Sequence, residues 1–281
     1  MIDQLKLRHI VRHEGFDFLG RRSVLMLEPT HNTGWIWGTG GKDIPITPDI
    51  MMSKRRRVAL VYEGSELNEF EHIGVLRAAG LQNIRVWCSQ TWPPYDCGAF
   101  ALWQAVIPHV YKEGILEPYR APVMLESADL EEEPGRYSQY SGTGNDYDVL
   151  RMTGGVEFLR IHPDYYRFGH VYPKDDLMPL VRARTLGWPP SLRNASWLAS
   201  KLGWPHHERI LWPQDHFAAE VLAEIGRHRL LDALAIINFL APAGMYLAGS
   251  FHSCKGNHAT DLELLKKLST GKVIDFKRNA A

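Results

Sequence analysis

His228 and Asp232 belong to a polar interruption, Arg227 to Asp232, within a largely apolar stretch from Ala218 to Leu240. The apolar residues of this stretch recur at helical spacing, and it holds no proline and a single glycine, Gly226, so the pattern predicts a helix. Residues four apart project from the same helix face, one turn above the other. An imidazole and a carboxylate placed in this way can bind one zinc ion, which accepts nitrogen and oxygen ligands.

A His/Asp pair at this spacing also has an ordinary structural explanation. Ion pairs between residues four apart are common on helix surfaces, so spacing alone favours a structural pair. A catalytic zinc usually has three protein ligands and a position for water. The metal interpretation therefore needs a third ligand, and a base, elsewhere in the chain.

The dipeptide Glu71-His72 supplies candidates for both roles. Asn68 can cap a helix that ends near Gly80, which places the dipeptide in the first turn of that helix. Adjacent helical residues point about 100° apart, so one can bind a metal while the other acts on water from the side. Taken alone, however, a Glu-His dipeptide has almost no specificity.

Composition limits the class of protein. The chain has 281 residues, enough for two domains at about 150 residues each, and it is 45% apolar. Lys+Arg and Asp+Glu both total 32, so no basic field favours nucleic acid as a partner. We find no apolar run long enough for a transmembrane segment and no secretory signal. The 3 cysteines suit a reducing compartment, so we expect a cytoplasmic protein. The composition carries no signal for an oligomeric state.

The order of predicted elements divides the chain in two. Strands up to about residue 50 precede the helix that carries Glu71-His72, a strand, and a second helix over Ala99 to Glu113. The pattern then resets, and we place the domain boundary between residues 119 and 120. The second half repeats this order, with a helix over Ser191 to Leu202, the helix that carries His228, a strand, and a final helix over Asn257 to Leu268 that begins near His258.

Four short segments, once placed in order, resemble a known family. They are Glu71-His72, Arg182-Ala183-Arg184-Thr185, His228-x-x-x-Asp232 and Lys255-Gly256-Asn257-His258-Ala259. The chain is similar to the UDP-3-O-acyl-N-acetylglucosamine deacetylases, zinc hydrolases of lipid A biosynthesis, and it resembles a divergent member. Leu7 to Val11, Asn32 to Gly34 and Pro94 to Gly98 extend the likeness nearly end to end. No single motif is strong, but their shared order and separations are specific.

The resemblance implies an α+β fold of two domains with related topology, residues 1–119 and 120–281, each a β-sheet packed with α-helices. It implies an active site between them, with zinc as the cofactor and ferrous iron as the alternative metal. The implied metal ligands are His72, His228 and Asp232. Two neutral imidazoles and one carboxylate leave a position for water, as a hydrolytic zinc requires.

The resemblance also implies roles for other residues. Glu71 matches the general base that takes a proton as water attacks the acetamide, and Thr185 matches a hydroxyl that stabilises the oxyanion. His258 matches the imidazolium that protonates the leaving amine, because an amide nitrogen leaves poorly without a proton. The implied partner is a small sugar-nucleotide substrate, possibly acylated, near Arg229, Leu186 and Lys255.

Three departures from the family pattern bear on activity. Ile236 stands where the family has an aspartate that keeps the catalytic histidine protonated, so we expect a lower pKa for His258. Restoring that carboxylate by Ile236→Asp would then raise activity. Arg229 replaces a lysine linked to substrate phosphate, and the segment from Gly187 to Asp215, the expected acyl passage, is rich in tryptophan and proline.

The sequence therefore leaves alternatives open. One is a divergent paralogue that deacetylates another N-acetyl sugar or amide. Another is a zinc-binding or sugar-nucleotide-binding protein with weak or no activity. Ile236 favours these alternatives, whereas the presence of Glu71, Thr185 and His258 favours deacetylation. The accepted acyl length is also open.

Overall fold

The computed structural model describes residues 2–17, 19–54, 57–94, 98–120, 124–128, 137–142, 148–158, 162–183, 185–186, 210–211, 219–254 and 257–270. These residues form a mixed α and β structure with several β-sheets and five α-helices. The observation agrees with the α+β class.

The helices are α1 (Phe70–Ala78), α2 (Ala99–Val106), α3 (Met178–Val181), α4 (Ala219–Ile237) and α5 (His258–Ser269). The strands of the first half are β1 (Ile2–Leu7), β2 (Val11–Phe16), β3 (Arg22–Pro29), β4 (Trp35–Thr39), β5 (Lys42–Pro45), β6 (Met51–Lys54), β7 (Arg57–Tyr62), β8 (Ser65–Leu67), β9 (Ile84–Cys88) and β10 (Val110–Tyr119). Those of the second half are β11 (Met124–Ala128), β12 (Tyr137–Ser141), β13 (Leu150–Phe158), β14 (His162–Tyr172), β15 (Thr185–Leu186), β16 (Ile210–Leu211), β17 (Met245–Leu247) and β18 (Gly249–Cys254).

The two five-stranded sheets share one strand order and one pattern of directions. The first has the order β2-β3-β9-β4-β5 and the second the order β11-β12-β18-β13-β14. In both, the central strand comes last in sequence and pairs parallel with one neighbour, β4 or β13, and antiparallel with the other. The central strand follows α1 in the first half and α4 in the second. The two sheets therefore repeat one arrangement, while the two domains of related topology stay a prediction.

Helices α1 and α4 pack closely against each other. A Cβ atom added at Gly74 of α1 would lie 3.0 Å from the backbone oxygen of Ala235 in α4, so the small residue permits the approach. The buried Arg77 guanidinium donates to the carbonyl oxygens of Asn238 (3.1 Å) and Ala241 (2.6 Å) just beyond α4. Its carbon also lies 4.9 Å from the ring centroid of Phe239. These contacts fix the position of α1 relative to α4.

Strand β10 connects the two halves of the chain. It pairs antiparallel with β1 and parallel with β17. Two buried apolar clusters lie around this connection, one drawn mainly from residues before Val106 and the other mainly from later residues. The boundary between residues 119 and 120, at the end of β10, stays a prediction.

Some predicted elements differ from those observed. The second helix was predicted to reach Glu113 but ends at Val106, because Pro108 lies in a 3₁₀ turn and the following residues pair with β1. Helix α1 has Glu69, not Asn68, as its N-cap residue. The predicted helix from Ser191 to Leu202 lies outside the described residues. Among the described helices, none is both long enough and apolar enough to cross a membrane.

Candidate metal centre

Three side chains from α1 and α4 converge on one point. His72, His228 and Asp232 each offer a ligand atom, and these atoms all lie within 4.8 Å of one another. Nε2 of His228 is 3.6 Å from Oδ2 of Asp232, as the shared helix face predicts. The rings of His72 and His228 lie with centroids 5.6 Å apart and planes at 63°. One metal ion between the three groups would be bound by two nitrogens and one oxygen.

The protonation and hydrogen bonding of these groups fit a metal. Burial, and then the neighbouring His228, lower the pKa of His72 to about 4, so its imidazole is neutral near pH 7. Nδ1 of His228 lies 3.2 Å from the carbonyl oxygen of Ala183, which can only accept, so Nδ1 carries a proton and Nε2 is the nitrogen that a metal would bind. Oδ1 of Asp232 is buried and has no hydrogen-bond partner in the described part of the chain. The donor set suits a hydrolytic zinc.

Glu71 lies buried beside the three candidate ligands. Its Oε2 accepts a hydrogen bond of 2.9 Å from the backbone N–H of Val58 in β7. Burial, and next the charge of Asp232, raise the pKa of Glu71 well above its ordinary value. A raised pKa makes the ionised form of Glu71 a stronger proton acceptor, which is the property required of a base that acts on water.

His258 reaches the same carboxylate from α5. Asn257 caps this helix by accepting hydrogen bonds from the N–H groups of Ala259 (2.8 Å) and Thr260 (3.1 Å), and His258 is therefore held in the first turn. Nε2 of His258 lies 3.7 Å from Oδ2 of Asp232. Burial is the main cause that lowers the pKa of His258, while the Asp232 charge raises it. The direction is the one expected from Ile236, although burial rather than the missing carboxylate dominates.

Ile236 lies one turn beyond Asp232 on α4. It is fully buried and belongs to an apolar cluster that includes Ile73, Phe239 and Leu262. The position where the related family has an aspartate is therefore part of the hydrophobic core. This environment would strongly disfavour a carboxylate.

Arg229, predicted to contact substrate phosphate, forms a buried ion pair. Its NH2 group lies 2.6 Å from Oδ2 of Asp261, whose side chain is fully buried. Asp261 raises the pKa of Arg229 against the effect of burial. A phosphate at this position would share the guanidinium with Asp261, and the predicted contact stays a prediction.

The remaining predicted site residues are described in part. Thr185 and Leu186 form β15, which pairs parallel with β16 and begins two residues after Ala183, the partner of the His228 ring. Their side chains lie outside the description, so the predicted oxyanion and substrate roles stay predictions. Lys255, and the predicted acyl passage except Ile210–Leu211, also lie outside the described residues.

Two acidic residues near the site were not predicted. Glu69, before α1, has a left-handed φ of 53°, unusual for a residue with a side chain. Burial raises its pKa to about 7, an effect that Arg57 opposes and Asp232 reinforces. No spacing signal marks Glu69. Asp261 could have been found, because it stands three residues after His258 on a predicted helix.

No protein-family model matches this chain, and no curated protein sequence matches it. The family resemblance stays a prediction supported by short motifs.

Proposed function

We propose that this protein is a zinc-dependent deacetylase that hydrolyses the N-acetyl group of a UDP-linked 3-O-acyl-N-acetylglucosamine in lipid A biosynthesis. The observation that carries the proposal is the convergence of His72, His228 and Asp232 within 4.8 Å. His72 lies on α1, far in sequence from His228 and Asp232 on α4, so a helix-surface ion pair does not explain the convergence of all three. When bound, zinc supplies a Lewis acid that polarises the acetamide carbonyl and makes water nucleophilic near neutral pH.

The residues around the candidate ligands can move the protons of amide hydrolysis. Glu71, whose pKa is raised by burial and by Asp232, takes a proton from the attacking water. The resulting hydroxide bonds to the carbonyl carbon of the acetamide. The carbon–nitrogen bond then breaks, and the nitrogen takes a proton as it leaves. His258, whose Nε2 lies 3.7 Å from Oδ2 of Asp232, supplies that proton, and acetate and a free amine are the products.

The arrangement of the halves supports a two-domain organisation. Each half has a five-stranded sheet of the same order, and α1 and α4 precede the central strands of these sheets. His72 lies on α1, while His228 and Asp232 lie on α4. We therefore place the reaction between domains 1–119 and 120–281. The small, odd number of cysteines supports placing it in the cytoplasm.

The lowered pKa of His258 and the Arg229–Asp261 ion pair favour two alternatives. A neutral His258 is a poorer acid, which suits a paralogue with another N-acetyl sugar or amide as substrate. It also suits a protein that binds zinc or a sugar nucleotide with little turnover.

The test is product analysis by mass spectrometry with zinc-loaded protein and UDP-3-O-acyl-N-acetylglucosamines of several acyl lengths. We expect acetate and the free amine in equal amounts, and none from a Glu71→Gln control that retains zinc. Zinc binding without product at any acyl length would overturn the proposal. Product from another N-acetyl sugar alone would then favour the paralogue.

A further inference from the structure

A buried ion pair joins the two helices that carry His228 and His258. Arg229 follows His228 on α4, and Asp261 lies three residues after His258 on α5. The nitrogen–oxygen distance is 2.6 Å, and the side chains are 13% and 0% exposed. Removing both charges from water is costly, so the pair has to be supported by good geometry and further hydrogen bonds.

Strands β12 and β18 provide that support. The Ser138 hydroxyl of β12 donates to Oδ1 of Asp261 at 2.6 Å and lies 3.0 Å from the Thr260 hydroxyl. The Ser253 hydroxyl of β18 accepts from Arg229 at 3.4 Å. Asp261 is thus held from α4 on one side and from the sheet on the other. The first turn of α5 cannot rotate or slide without breaking these contacts.

This constraint acts directly on the candidate acid. Residues three apart lie on the same face of a helix. A rotation of α5 that released Asp261 would therefore also carry His258 away from Asp232. The next residue on the Asp232 face of α4 is Ile236, which is buried among apolar side chains. Within the described part of the chain, the groups that shift the pKa of His258 include Asp232, Arg229, Asp261 and His228, and His258 in turn acts on His72. Asp261 is the one carboxylate of this set that α5 itself supplies.

We propose that Asp261 is a positioning residue, which through its ion pair with Arg229 and its hydrogen bond with Ser138 holds His258 beside the metal centre. The proposal rests on the proposed function for its catalytic consequence, but not for the geometry that it assigns. Asp261 does not touch the reacting atoms. It acts through the orientation of the first turn of α5.

The test compares Asp261→Asn with Glu263→Gln in the zinc-loaded protein. Glu263 is a carboxylate of the same helix that pairs with Lys267 at 2.5 Å on the partly exposed face, so it is a matched control. NMR spectra are recorded on protein that carries ¹⁵N-labelled histidine, and the His258 imidazole resonances are assigned with His258→Gln. These resonances should shift in Asp261→Asn and stay unchanged in Glu263→Gln. With UDP-3-O-acyl-N-acetylglucosamine, kcat should fall about 10-fold or more at unchanged KM and zinc content. An unshifted His258 resonance in folded Asp261→Asn would overturn the proposal.

A double variant controls for misfolding in Asp261→Asn, which leaves the buried Arg229 without its ion-pair partner Asp261. In the double variant Arg229→Gln/Asp261→Asn no charge is left unpaired, and the shift of the His258 resonances should persist. Wild-type resonances and kcat in the double variant would overturn the proposal, because the pair would then have only a structural role. If the wild-type protein deacetylates no substrate, the proposed function fails, and the resonance comparison alone decides the role of Asp261.

Discussion

Nε2 of His258 lies 3.7 Å from Oδ2 of Asp232, the same oxygen that lies 3.6 Å from Nε2 of His228. One carboxylate therefore stands between an imidazole from α4 and an imidazole from α5. In the proposed mechanism Asp232 serves both as a metal ligand and as the neighbour that favours the protonated form of His258. Its two roles link metal binding to the protonation of the leaving amine.

Glu71 and Glu69 form a matched pair for testing the identity of the base. Glu71→Gln retains an oxygen that can accept from Val58 N–H but cannot take a proton from water. Turnover should fall by about 10²–10⁴-fold with zinc content unchanged. Glu69→Gln should reduce turnover much less. Initial rates for both variants provide the measurement. A severe loss of turnover in Glu69→Gln, with an active Glu71→Gln, would identify Glu69 as the base in place of Glu71.

Ile236→Asp should destabilise the protein rather than restore an acid. The sequence alone predicts a gain of activity, but the fully buried Ile236 packs in an apolar cluster. An unpaired carboxylate there should lower the free energy of unfolding by about 3–5 kcal/mol. Denaturant unfolding measures the loss, with Ile236→Val as a control at about 0.5–1.5 kcal/mol. Wild-type stability with higher turnover would show that the sequence-based prediction was right.

Gly74→Val tests whether the close approach of α1 and α4 sets the geometry of the candidate metal site. Even a Cβ atom at this position would lie 3.0 Å from the backbone oxygen of Ala235, so valine should separate the helices. We expect about 1–3 kcal/mol of lost stability and weaker zinc binding, measured by competition with a chelator. Gly98→Ala is the control, because a Cβ atom there meets no described atom within 4 Å. Equal zinc affinity in the two variants would contradict the prediction.

His170, on β14, should contribute to the pH dependence of stability. Burial lowers the pKa of His170, although Asp175 and Asp176 oppose the shift. The unfolded chain then binds more protons than the folded chain as the pH falls through about 6.5. Stability from this group is present above that pH and is lost below it. His170→Gln should therefore lose less stability than wild type between pH 7 and pH 5 in denaturant titrations; parallel losses would contradict this.

Local sequence signals predicted two features around the candidate site. The four-residue spacing of His228 and Asp232 predicted their shared face, and Asn257 predicted the start of the helix that holds His258. Both features depend on contacts within one helix. The repeated order of strands and helices was likewise predicted from periodicity and turn residues, which are local properties, whereas the α+β class was implied by the family resemblance.

Contacts between distant segments escaped prediction. The Val58–Glu71 hydrogen bond and the Arg229–Asp261 ion pair depend on how elements pack, which spacing does not encode. Residues after Pro108 have a helix-compatible sequence but pair with β1, so tertiary contacts override local preference. Ile236 shows the same limit, since its apolar surroundings come from α1 and α5.

The most direct test of the proposed zinc hydrolase is a metal titration with a kinetic readout. Protein stripped by a chelator is titrated with zinc, and the initial rate of amine release from UDP-3-O-acyl-N-acetylglucosamine is measured at each step. The account predicts no rate without metal and a rate that rises to a plateau at one zinc per chain. A rate independent of zinc, or no rate at any zinc concentration, would contradict it.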